Sequence, residues 1–430
     1  MPGTPNQKTV IPRAFRPEES LFAFCRRLFL IRIHLWLHAF LGGIHPLHIF
    51  WTILMALVAL AWIATVIDLS LGVRKMPWLD AVAPLDDARC PRVSILFAGR
   101  DEAEKMPEAV QTMLSLDYPR YEVIAVDDRS IDATGEILAA AAQKDPRLKP
   151  LRIDSLPPGW LGKPHALAKA YEQSTGDWLV FTDADVHFRP DLLRRVIALA
   201  EKMAWDHLTM LATPKLFTFG EKVAMMLFGM TFLMGTRPWA ASDPKSRGYT
   251  GIGAFQIVRR AAYEKAGTHR RLAMEVVDDL KLGKIVKEAG FRSGVARSKD
   301  AVSVHWHAGL ANIIRGTTKN FFAATGFRLS VLALQFFGTL AMFVLPLAAL
   351  PFLRGWPLAF AAFSVAVPLL FATGAAKGIG ASPAYGLTYP LGALVICWML
   401  LRSTIVTLWQ GGITWRGTFY PIEDLKRGVV

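Results

Sequence analysis

Long apolar runs stand near both ends of this chain, and between them short apolar runs alternate with helical patterns. Phe50 to Ile67 carries no charge and is followed by Arg74-Lys75, which predicts a membrane-spanning helix at 47–72. It lies too far from the start to be a secretory leader, and no small-residue cleavage site follows it. Upstream, within 1–46, Leu21 to Phe40 is apolar but broken by Arg26, Arg27, Arg32, His34 and His38. That pattern predicts an amphipathic helix on the bilayer surface, because charge at mid-bilayer is costly. Toward the other end, Leu329–Leu353, Trp356–Ala376 and Tyr385–Leu401 predict about three further spans within 328–408, ahead of a polar tail at 409–430. One span before a domain and three after it would leave the basic tail across the bilayer from that domain, against the positive-inside tendency. Either one segment is re-entrant or interfacial, or the tail breaks the rule.

The region between, about 90–327, reads as an α/β domain. Val93–Ala98, Tyr121–Val126, Trp178–Phe181 and, more weakly, Leu151–Ile153 and Leu208–Ala212 read as strands. Helical patterns occupy Pro107–Ser115, a stretch from about Asp132 that Ser130 or Asp132 would cap, and Pro164–Gln173. In open sheets of this kind ligands bind outside the carboxyl ends of the strands. Arg100-Asp101-Glu102, Asp127-Asp128 and Asp183-Ala184-Asp185 all fall there. Val223–Leu233 is apolar but short, and suits the bilayer surface or the domain core better than a span.

Composition agrees with a membrane protein: 53% of residues are hydrophobic and 20% charged. The formal charge of +14 raises the question of nucleic acid. The basic residues are scattered, with no stripe of interleaved aromatics and no zinc-finger spacing, so no nucleic-acid partner is expected. Basic residues facing anionic lipid on the inner side account for the excess. Cys25, Cys90 and Cys397 are far apart and form neither a disulfide framework nor a zinc site.

Asp183 and Asp185 offer hard oxygen donors at i and i+2 on a strand end, a spacing that suits one hydrated Mg²⁺ or Mn²⁺ carrying phosphate oxygens. A lone D-x-D is weak evidence, because turns after strands are rich in Asp. Its company on the same rim is what favours a site. Lys163 follows the Gly-rich turn Gly159-Trp160-Leu161-Gly162 and opens a helix, where an ammonium beside free backbone N–H groups would bind diphosphate.

In order and spacing, the strand ending in Arg100-Asp101-Glu102, then Val126-Asp127-Asp128-Arg129-Ser130, Gly159–Lys163, Thr182-Asp183-Ala184-Asp185, Gly251-Ile252-Gly253-Ala254-Phe255 and Asp278-Asp279 resemble the family 2 glycosyltransferases of GT-A fold. The membrane layout resembles the lipid-modifying branch, which includes hopanoid-associated, carotenoid and ceramide glycosyltransferases. The resemblance implies a Rossmann-like mixed sheet with helices on both faces. It implies inverting transfer of one sugar from a nucleoside-diphosphate sugar, commonly a UDP-sugar, to a membrane lipid or other apolar acceptor, with Mg²⁺ or Mn²⁺ bound. It places Asp101, Glu102, Asp127, Asp128, Lys163, Asp183 and Asp278 on the sugar nucleotide, and Asp183 and Asp185 on the metal, with His305 or His307 a further candidate ligand. Asp279, the second acid of its pair, becomes the general base that takes the acceptor proton. The Gln-x-x-Arg-Trp motif of processive synthases is missing; Arg315-Gly316-Thr317-Thr318-Lys319 stands in its place, where Arg315 or Lys319 could contact the diphosphate. A processive polysaccharide synthase, or a catalytically silent sugar-nucleotide binder, are the alternatives. The expected location is the inner membrane, multi-pass, with the catalytic domain in the cytoplasm.

Overall fold

The computed structural model describes residues 46–430. The amphipathic segment expected at Leu21–Phe40 lies outside the described residues.

Strands form where β-branched and aromatic residues alternate between two faces. They are β1 (Val93–Gly99), β2 (Tyr121–Asp128), β3 (Leu148–Ile153), β4 (Trp178–Asp183), β5 (Val186–Phe188), β6 (His207–Met210), β7 (Thr213–Pro214), β8 (Gln256–Arg259), β9 (Ser293–Ala296) and β10 (Val302–Val304). The main sheet runs β3-β2-β1-β4-β8-β6-β9. Its first four strands are parallel, β8 is antiparallel to both β4 and β6, and β9 is again parallel to β6. Along β1, Ile95 and Phe97 join Val123, Ala125 and Val180 in one core. Leu96 joins Ile124, Val126, Leu179 and Phe181 in another on the opposite face. Helices therefore cover both faces, as a parallel sheet requires.

Register is what assembles the site. Gly99 lies opposite Asp127 and Ala98 opposite Asp183, so the three acidic strand ends are level on one rim. β5, β10 and β7 make a small second sheet beside that rim.

Among the described residues, four helices are long and apolar enough to cross a membrane: Pro46–Val73, Leu329–Phe352, Trp356–Gly378 and Pro383–Gln410. The apolar run at Val223–Leu233 becomes the middle of a helix, Phe219–Thr236, opened by a capping box in which Thr218 and Glu221 satisfy each other's backbone. Its Ala224, Met226, Leu227 and Met230 pack with Val58, Trp62, Ala372 and Ile396, joining the domain to the long helices.

The segment expected as a polar tail is folded. β11 (Gly412–Trp415) and β12 (Thr418–Pro421) form an antiparallel hairpin followed by a short helix, Ile422–Arg427. Ile413, Tyr420 and Leu425 are buried against Leu161, Val276, Phe322 and Phe327 of the domain. The Val430 N–H donates to Glu275 Oε2 at 3.1 Å, so the tail is seated on the domain along its length.

Candidate active site

The level strand ends open into a cavity of about 680 Å³. The β1 and β2 loops are cross-braced: Asp101 N–H donates to Ser130 Oγ at 3.0 Å, and Asp101 Oδ1 accepts from Ile131 N–H at 2.9 Å. Asp101 sits at φ 55°, a left-handed conformation that an Asp side chain tolerates by bonding locally. Glu102 N–H donates to Thr134 Oγ1 at 2.9 Å, and its carboxylate pairs with Arg416. Burial raises the Glu102 pKa, with Arg416 opposing.

Asp127 and Asp128 part company. Asp128 lines the cavity and holds Arg129 through two bonds, Nε at 2.7 Å and Nη2 at 3.0 Å. Asp127 lies behind the rim, where Oδ1 accepts from Ser130 N–H at 3.1 Å and the other oxygen pairs with Arg152. That is a turn-holding role, so the sugar-nucleotide contact expected of Asp127 is not supported by its position. The strand's alternation explains the split, because adjacent residues point to opposite sides.

Both acids of the D-x-D face cations. Lys163 Nζ donates to Asp183 Oδ1 at 2.6 Å, and Lys105 Nζ reaches Asp185 Oδ2 at 3.3 Å. Burial alone would lower the Lys163 pKa, but the charges of Asp183, Asp278 and Asp279 outweigh it and raise it. For Asp185, burial and then the nearby Asp183 raise the pKa, with Lys105 opposing. Among the described residues, no three or more His, Cys, Asp and Glu side chains form a metal cage. Two carboxylates still suit Mg²⁺ or Mn²⁺, which keep water and substrate phosphate oxygens in their shells.

The third acidic pair opens the helix Asp278–Glu288. Asp279 Oδ2 accepts from Gly253 N–H and Oδ1 from Leu280 N–H, both at 2.8 Å, which fixes the carboxylate's direction. A Cβ on Gly253 would fall 2.8 Å from Asp183 Oδ2 and 2.9 Å from Asp279 Oδ2. Both acids therefore press on this one glycine, which draws the third acidic cluster up to the D-x-D. Asp278 is buried, and burial raises its pKa; Lys163 opposes that, while Asp279 and Asp183 add to it.

His305 and His307 also separate. They lie past the end of β10 in irregular chain, so the strand rule that would turn both the same way does not apply. His307 lines the cavity, and burial, followed by nearby Lys105 and Lys319, pushes its pKa down to about 4, leaving a neutral imidazole. His305 turns away to Phe217, ring centroids 4.9 Å apart, and to Glu221, and does not line the cavity. Arg315 and Lys319 both line the cavity. Lys319 Nζ lies 4.0 Å from the centre of the Trp415 ring, and its pKa is pushed down to about 8 by burial and by Lys163, against Asp278, Asp279 and Asp183.

Eleven of the expected residues meet in this cavity: Asp101, Glu102, Asp128, Lys163, Asp183, Asp185, Asp278, Asp279, His307, Arg315 and Lys319. Sequence reasoning missed Lys105, Gln410 and the hairpin residues Trp415, Arg416 and Tyr420, which close its far wall. A signal was present. Arg416 and Gly417 have consecutive positive φ, 50° and 76°, and Arg-Gly between two short alternating runs is a hairpin pattern.

Comparison with known proteins adds the family. Over residues 51–427 the chain matches glycosyl transferase family 21. It belongs to that family. The match takes in the long helices as well as the domain, whereas the motifs alone pointed to family 2. The chain is 23% identical over 231 residues to 4,4'-diaponeurosporenoate glycosyltransferase of Staphylococcus haemolyticus, covering 53% of this chain and 60% of that protein. It is 34% identical over 114 residues to beta-monoglucosyldiacylglycerol synthase of a Nostoc species, covering 26% of this chain and 24% of that one. The chain thus spans less than two thirds of the length of either relative. A solved mannosyltransferase from Pyrobaculum calidifontis, in complex with GDP-Man and Mn²⁺, aligns with TM-score 0.50 and 19% identity over 84% of this chain and 99% of that chain. That likeness establishes the GT-A fold.

Proposed function

We propose that this family 21 member transfers one sugar from a nucleoside-diphosphate sugar to the hydroxyl of a membrane lipid, with inversion, from the cytoplasmic face of the inner membrane. The observation that carries the reading is the convergence of Asp279 and Asp183 on the Cβ side of Gly253, with Asp279 oriented by two backbone N–H groups. In this reading Asp183 serves the departing diphosphate and Asp279 the arriving hydroxyl.

In this scheme Asp128 and the β1 loop hold the nucleoside, while Lys163, Arg315, Lys319 and Arg416 surround the diphosphate with positive charge. Asp183 and Asp185, with His307 as a further candidate ligand, would hold Mg²⁺ or Mn²⁺. That ion supplies charge stabilisation for the departing diphosphate. Asp279 accepts the hydroxyl proton as the acceptor oxygen bonds to the anomeric carbon and the bond to the diphosphate oxygen breaks. The mannosyltransferase complexed with GDP-Man and Mn²⁺, and the relatives named for a carotenoid acid and a diacylglycerol, support this choice of donor, metal and acceptor class. Arg74 and Lys75, on the domain side of the first long helix, support the cytoplasmic orientation.

The test uses membranes containing the full chain, a panel of labelled sugar nucleotides, and Mg²⁺ or Mn²⁺. Label should pass to an organic-extractable product with release of nucleoside diphosphate, and Asp185→Ala should abolish both. Label found only in water-soluble product would refute the lipid acceptor.

A further inference from the structure

Three apolar helices follow the domain, and the chain leaves it and rejoins it at one place. Phe327, before the first of them, and Ile413, after the last, are buried in the same small core with Phe322 and Tyr420. A chain that leaves and returns on one side of a bilayer crosses an even number of times. Three helices cannot all cross.

Contacts identify the helix that does not. The turn after Leu329–Phe352 lies at the end of the bundle far from the domain: a Cβ on Gly355 would stand 3.7 Å from His48 Nε2, at the start of Pro46–Val73. Met55, Ala349, Leu353 and Ala361 form a separate core there. The other end of Pro46–Val73 meets the domain, where Gly72 is in close contact with Trp239. Leu329–Phe352, of 24 residues, is about 36 Å long at 1.5 Å per residue, enough to span. Trp356–Gly378 returns, bringing Ala376 and Ala381 to Ala224 and Met230 of the domain's apolar helix.

Pro383–Gln410 then stays with the domain throughout. Near its start Tyr385 packs at a tilt against Phe219, centroids 5.5 Å apart, with Lys222 Nζ 5.8 Å from the Tyr385 ring centre. A Cβ on Gly392 would lie 3.0 Å from Leu227 Cβ and 3.2 Å from Val223 O. Further along, Ser403 Oγ accepts from Phe322 N–H at 2.9 Å and donates to Thr318 O. At its end Gln410 lines the catalytic cavity, with Val406 and Thr407. Half of its apolar window is buried against protein, compared with 17–28% for the other three long helices. What remains exposed is one stripe: Leu391, Leu394, Trp398, Ile405, Leu408 and Trp409. At 100° per residue these fall within an arc of roughly 100°, opposite the buried Gly392, Ile396, Leu400 and Ser403.

We propose that Pro383–Gln410 does not cross the bilayer but lies in the leaflet facing the catalytic domain, with its Leu391–Trp409 stripe in lipid and its opposite face on the domain. The partner is the bilayer itself, continuous with the lipid around the neighbouring spans. The placement makes one wall of the catalytic cavity, at Val406, Thr407 and Gln410, the end of a lipid-embedded helix. It therefore assigns the acceptor to that same leaflet, a consequence that rests on the lipid-acceptor reading above.

The topology is tested without activity, so its failure is separate from failure of the functional reading. Single cysteines are introduced in a chain whose Cys25, Cys90 and Cys397 are replaced, and sealed vesicles of one orientation are treated with a membrane-impermeant maleimide. Ile131→Cys on the domain, Ala384→Cys at the start of the helix and Lys426→Cys after its end should react from one side, and Trp356→Cys from the other. Spin labels at Leu394, Trp398 and Ile405 should report one shallow depth. Labels at those three positions that traverse the midplane, or Ala384→Cys reacting together with Trp356→Cys, would overturn the proposal. A monodisperse gel-filtration profile with wild-type helical content qualifies each variant as folded.

Discussion

Asp279 and Lys319 face each other's charges in one cavity, and each makes a distinct prediction at the scale of a single residue. Asp279→Asn keeps the shape and one of the two backbone bonds, since its amide has a single acceptor oxygen, and it cannot take a proton, so turnover should fall by roughly 10²–10⁴-fold while donor affinity by calorimetry is retained. Near-normal turnover would remove Asp279 from the base role. Lys319 carries a pKa lowered to about 8, so it is charged below that pH and neutral above. If it binds diphosphate, kcat/KM for the donor should decline as pH rises through about 8, and Lys319→Arg should abolish that limb. Burial first and then Lys163 lower that value, against Asp278, Asp279 and Asp183, and those four side chains are untouched by the substitution. At this scale the sequence was most legible where chemistry and strand ends coincide, as at Asp183 and Asp185. It was least legible where adjacent or alternate residues diverge. Asp127 turns to Arg152 and His305 to Phe217, and which way each points depends on partners distant in sequence.

The Gly251–Phe255 motif explains itself only as an element packed against another. A Cβ on Gly251 would lie 1.9 Å from Asp279 O, and one on Gly283 would lie 1.9 Å from Thr250 O. Loop and helix are thus in backbone contact from both sides, and Asp279 sits on the seam. Gly251→Ala should force them apart, costing about 1–3 kcal/mol as overpacking does, with a lower Tm and a fall in turnover. Gly235→Ala is the control: that helical glycine has open space around it, and alanine is the better helix former by up to about 1 kcal/mol, so Tm should hold or rise. Strands with near-continuous apolar runs, such as β1 and β4, were visible in the sequence. β8 and β9, of four residues each, were not, because their burial comes from the sheet around them rather than from a pattern of their own. The hairpin was missed for a related reason. Its sequence reads as a polar tail, and only packing on Phe322 and Phe327 shows that it belongs to the domain.

That packing decides what counts as the catalytic unit. The 90–327 domain holds every acid of the site, and a reading by motif would treat it as complete. Yet Leu161, Val276, Phe322 and Phe327 share one buried core with Ile413, Tyr420 and Leu425 of the tail, and Arg416 is the partner of Glu102. Cutting the chain after Phe327 exposes this core and leaves the Glu102 carboxylate half-buried without its cation, a costly arrangement. An excised fragment spanning 90–327 should therefore aggregate or fail to bind donor. A fragment in which residues 411–430 are rejoined to Phe327 through a flexible linker should recover donor binding without any long helix. In that rejoined fragment Arg416→Ala should raise the donor Kd about tenfold or more, the worth of a charged hydrogen bond of about 1.5 kcal/mol or above. Calorimetry with sugar nucleotide and Mn²⁺ checks both steps. A 90–327 fragment that binds donor as well as the rejoined one would mean that the hairpin only covers the site. If recovery needs the hairpin but no long helix, the donor site is one folding unit whose last residues the full chain reaches only after passing through its long helices.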